Sequence, residues 1–65
     1  MAHATWKLTV VKPKKHVVRF DVEEDEKEDA LSDNIYVKKE QAQEKLGVKD
    51  LTKVKGIEVT IRIIK

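Results

Sequence analysis

An α+β fold, built as a small single sheet of about four strands in the order β-β-β-α-β covered by one short helix, is what this 65-residue chain predicts. Three observations point there. Four stretches alternate apolar and polar residues with a period of two, the mark of half-buried strands. One stretch changes to helical spacing and stops at Gly47. There is no cysteine, so only packing or association can hold a chain of this size together. A small β-barrel is the alternative arrangement of the same elements.

The first strand is "TWKLTVV", with Trp6, Leu8 and Val10 on one face and Lys7 and Thr9 on the other. "KPKK" follows, and a proline that cannot donate to a ladder but presets φ reads as a hairpin loop. "HVVRFDV" alternates again, placing Val18, Phe20 and Val22 inward and Val17, Arg19 and Asp21 outward. A short third strand, "NIYV", sets Tyr36 on the face opposite Ile35 and Val37. In "KKEQAQEKLG" Ala42 and Leu46 stand one helical turn apart, so together with Val48 they are expected to close the core. The helix is about two turns long and needs tertiary packing to exist. Asp50 suits a turn or cap, and Leu51 and Val54 are spaced to reach the core. "IEVTIRIIK" is the strongest strand, with Ile57, Val59, Ile61 and Ile63 on one face.

Residues 1–65 form one domain, with a mobile acidic loop expected at about 23–33. Residues 23–29, "EEDEKED", hold six acids and one lysine. The rest of the chain then carries 13 bases against 6 acids, so a net charge of +2 hides two opposite electrostatic regions.

Many functions are disfavoured at this stage. No apolar run approaches the roughly 20 residues of a membrane span. So small a domain without disulfides belongs more naturally to the cytoplasm than to a secreted setting. Nucleophilic catalysis needs an activated nucleophile beside a base, and Ser32 and His16 have no spacing that joins them. The two glycines, Gly47 and Gly56, make no phosphate loop or dinucleotide fingerprint, and the acidic run lacks the ligand spacing of a calcium loop. No enzyme, cofactor or metal is therefore expected.

Positive charge is the remaining functional clue. Lys12, Lys14 and Lys15 occupy the first turn, Arg19 lies just beyond it, and Lys38 and Lys39 open the helical segment. Phosphate neutralisation needs several cations on one surface rather than an exact motif, so these six are the candidate nucleic-acid-binding residues. Tyr36 is the candidate surface aromatic contact, whereas Trp6 and Phe20 fall on core faces. The acidic loop is expected to compete for the same basic surface. The expected function is a small non-enzymatic binding domain for DNA or RNA backbone. The alternatives are a protein-interaction module, a small inhibitor or assembly subunit, and a scaffold with no selected ligand. Unpaired strand edges also admit a homodimer.

The stretch Val37-Lys38-Lys39-Glu40 to Leu46-Gly47 resembles in part the Ile-Pro-Lys-Glu to Leu-Gly segment of swapped-hairpin transcription regulators and antitoxins. Its proline is missing, and Lys49-Asp50 stands where those proteins continue with Gly-Asp. The chain is accordingly assigned to no family on these residues.

Overall fold

The alternating segments become five strands in two antiparallel sheets, with one α-helix and no closed barrel. The computed structural model describes residues 2–65. Strand β1, His3–Leu8, pairs only with the last strand, which sets Trp6 opposite Val59 and Leu8 opposite Ile57. Strands β2, Val10–Pro13, and β3, Val17–Asp21, form the expected hairpin, closed by Lys14 N–H donating to the Val17 carbonyl at 2.9 Å. Strand β4, Asn34–Lys38, pairs with the other side of β3. Helix α1, Lys39–Leu46, follows at once, and strand β5, Ile57–Arg62, returns to β1.

The stretch read as one first strand is therefore two strands in two sheets. The alternation slips by one residue at Thr9. Leu8 points inward, Val10 lies outward opposite Asp21, and Val11 takes the inward position opposite Phe20. The corner depends on Gly56, where an added Cβ would stand 2.6 Å from the Leu8 carbonyl oxygen and 2.9 Å from Thr9 Cα. Backbone passes too close there for any side chain.

The core is small: Trp6, Leu8, Val18, Phe20, Val22, Ala42 and Leu51 are its buried residues. Helix α1 approaches through Ala42, and Gly47 caps it in the left-handed conformation at φ 69°. Leu46 does not close the core, contrary to the sequence expectation, and is 67 % exposed. Leu51 is buried instead, held in a short 3-10 turn over Leu51–Lys53 that Asp50 caps by accepting from Thr52 N–H at 3.0 Å. A hydrogen bond donated by the Thr52 hydroxyl, followed by the one from Thr52 N–H, holds the Asp50 carboxyl below the usual aspartate range.

Within the expected acidic loop, Glu24–Asp29 forms a 3-10 helix with no buried residue. Its three-residue repeat brings Lys27 over Glu24, with Nζ 3.3 Å from Oε2, which relieves part of the like-charge repulsion. The excursion is closed at its base by Val22 N–H donating to the Asp33 carbonyl and by the pairing of Asp21 with Asn34. No helix among the described residues is long and apolar enough to cross a membrane.

Candidate nucleic-acid interface

Directly paired residues of antiparallel strands share a face, so the register of β2, β3 and β4 decides what the outer surface of this sheet presents. Lys12, Arg19 and Tyr36 form one row across it, and Val10, Asp21 and Asn34 form the next. Tyr36 is 56 % exposed on this outer face, where its alternation with Ile35 and Val37 had put it.

Asp21 then divides the six candidate cations into two groups. Lys12 Nζ lies 2.9 Å from Asp21 Oδ2, and Arg19 Nε donates to Asp21 Oδ1 at 2.7 Å. The hydrogen bonds from Lys12 and Arg19 hold the Asp21 carboxyl below the usual aspartate range. The Arg19 guanidinium is held still more firmly charged, chiefly by Asp21 and to a lesser degree by Tyr36. Lys12 and Arg19 also border a shallow cleft of about 380 Å³ whose rim includes Glu23, Glu24 and Asp33. Their charge is answered within the molecule.

The other four sit elsewhere. Lys15, Lys38 and Lys39 line an open groove of about 600 Å³ together with His16, Val17, Glu40 and Gln41, and Lys14 belongs to the same turn as Lys15. The groove is pinned where Lys39 N–H donates to the His16 carbonyl at 3.0 Å, tying the first turn to the start of α1. The ion pairs among the described residues are Lys12 with Asp21, Arg19 with Asp21, and Lys27 with Glu24. None involves a groove lysine.

The acidic segment lies at the far end of the same strands. Strand β3 runs from Val17, beside the groove, to Asp21, beside the acidic excursion. Four steps of about 3.3 Å separate those ends by roughly 13 Å. That exceeds the ~8 Å screening length at physiological salt. The acidic segment thus lies next to Lys12 and Arg19, at the opposite end of β3 from the groove. Sequence reasoning missed Asp21 as the partner of two candidate cations, although the i, i+2 spacing of Arg19 and Asp21 on a strand already put them on one face.

Among the described residues no three His, Asp or Glu side chains are grouped to hold a metal ion. No protein-family model, curated protein or solved structure matches this chain.

Proposed function

We propose that the chain is a small binding domain that holds the phosphate backbone of DNA or RNA against the groove between the first turn and the start of α1, with no catalytic step. The observation that carries this reading is the convergence of Lys15, His16, Lys38 and Lys39 on one open groove, next to Lys14, with no intramolecular ion pair on any of these lysines. Clustered cations outside direct ion pairs are what phosphate neutralisation requires, and flexible lysines fix position without reading bases. Lys12 and Arg19 contribute at the periphery with reduced net charge. Tyr36, exposed beside Arg19 in the same row, offers a ring on which an unpaired base can stack.

Titration of labelled single-stranded and duplex DNA and RNA at several salt concentrations tests the reading. Affinity should fall steeply with salt, with a log–log slope of about −0.9 for each duplex phosphate neutralised. Replacing Lys14, Lys15, Lys38 and Lys39 together by glutamine should weaken binding to all sequences alike and flatten that slope. Lys12→Gln should change affinity little, because its charge already faces Asp21. Absence of binding at low salt, or a larger effect from Lys12 than from the four groove lysines, would refute the proposal.

A further inference from the structure

We infer that the free edge of β5 is a self-association surface, and that two copies of this chain pair their β5 strands antiparallel about a two-fold axis at Thr60. The ribbon of β1 and β5 has only two strands, and such a ribbon is marginal in water without a third strand or a full apolar cover. It also carries the apolar face of β5 past the core. Ile61 is 37 % and Ile63 62 % exposed, although both continue the inward series of Ile57 and Val59. The Cα radius of gyration is 12.5 Å, against about 10.7 Å for a compact chain of this length, as a projecting ribbon requires.

Charge complementarity identifies the occupant as a second copy. Antiparallel pairing about Thr60 sets Glu58 opposite Arg62 of the other copy, and Arg62 opposite its Glu58. On the other face it sets Val59 opposite Ile61 and Ile57 opposite Ile63, so each exposed isoleucine meets apolar surface of the other copy. Thr5 and Thr60, whose hydroxyls already hydrogen-bond at 2.9 Å, become half of a threonine row crossing four strands. Moving the axis to Val59 or Ile61 loses the charge pairs. The free edge of β1 offers no equivalent, since pairing about Thr5 would oppose His3 and Lys7. Strand β2 is short and ends at Pro13, a residue suited to an edge that stays unpaired. Neither proline nor an inward-facing charge guards β5. The product is a four-stranded sheet in the order β1, β5, β5, β1, formed through a surface separate from the basic groove.

Sedimentation velocity from micromolar to millimolar protein tests this directly. The native chain should approach twice the 7.5 kDa of one copy as concentration rises. Glu58→Arg and Arg62→Glu each turn both cross-copy charge pairs repulsive, and each should raise the dissociation constant about tenfold or more. An equimolar mixture of the two variants regains opposite charges at both pairs and should form a heterodimer at native affinity. Ile63→Lys alters a side chain outside β5 that is already exposed, so it should dissociate the dimer while leaving the circular dichroism of dilute protein unchanged. A native chain monomeric throughout the range would overturn the proposal. So would a dimer indifferent to all three substitutions, or single variants whose mixture stays monomeric.

Discussion

Leu8→Ala and Leu46→Ala remove the same atoms from two environments, so the pair measures what the fold does with a leucine. Leu8 is fully enclosed in the core, at 0 % exposure. Its truncation loses the transfer free energy of the side chain and leaves a cavity, a cost of about 2–5 kcal/mol. Leu46 stands two-thirds in water on the last turn of α1. Fully burying a leucine contributes about 1.5–3 kcal/mol, so the covered third contributes roughly 0.5–1 kcal/mol. No enclosed cavity forms there, and alanine is the better helix former. A core of this size supplies only about 3–5 kcal/mol in total, so Leu8→Ala should remove most of the stability and Leu46→Ala a minor part. Urea melts followed by circular dichroism and by emission of Trp6, the single tryptophan, give both numbers. In thermal melts, at about 4–8 °C per kcal/mol, the midpoint shift for Leu46→Ala should stay within about 8 °C. Equal losses at the two positions would show that Leu46 is covered after all and that the helix docks differently.

The remaining predictions concern the backbone corner and the outer charge row. Gly56→Ala should destabilise the domain more than Gly47→Ala in the same melts. Gly47 needs only a left-handed φ in open space, roughly 1–2 kcal/mol for an L residue, whereas a Cβ at Gly56 must displace the backbone of Leu8 and Thr9. Asp21 has a depressed pKa in the folded chain, so its contribution is present above the unfolded value of about 3.9 and is lost as pH falls below that through the folded value. Asp21→Asn should therefore lower the melting temperature at neutral pH and shrink the further loss below about pH 4, read from thermal melts across that range.

The elements of this protein follow from local pattern, and their partners do not. Alternation of Trp6 with Leu8, Val18 with Phe20, and Ile35 with Val37 commits those segments to strands with known inward faces, because a strand's side-chain period is a property of its own backbone. Gly47 and Asp50 announce their caps for the same reason: each satisfies groups within a few residues of itself. Tertiary structure alone decided that the alternation breaks at Thr9, where the chain packs against Gly56, a residue far along the sequence. It decided that Leu51 rather than Leu46 fills the core, since helical spacing defines a face without saying which turn of that face meets the sheet. The basic surface divides in the same way. Sequence supplied the six cations and the aromatic ring. The register of β2, β3 and β4 gave Lys12 and Arg19 to Asp21, while the joining of the first turn to α1 left Lys14, Lys15, Lys38 and Lys39 without a direct ion pair. Which charges cancel is set by distances of a few ångströms between residues remote in sequence, and only the folded chain sets those distances.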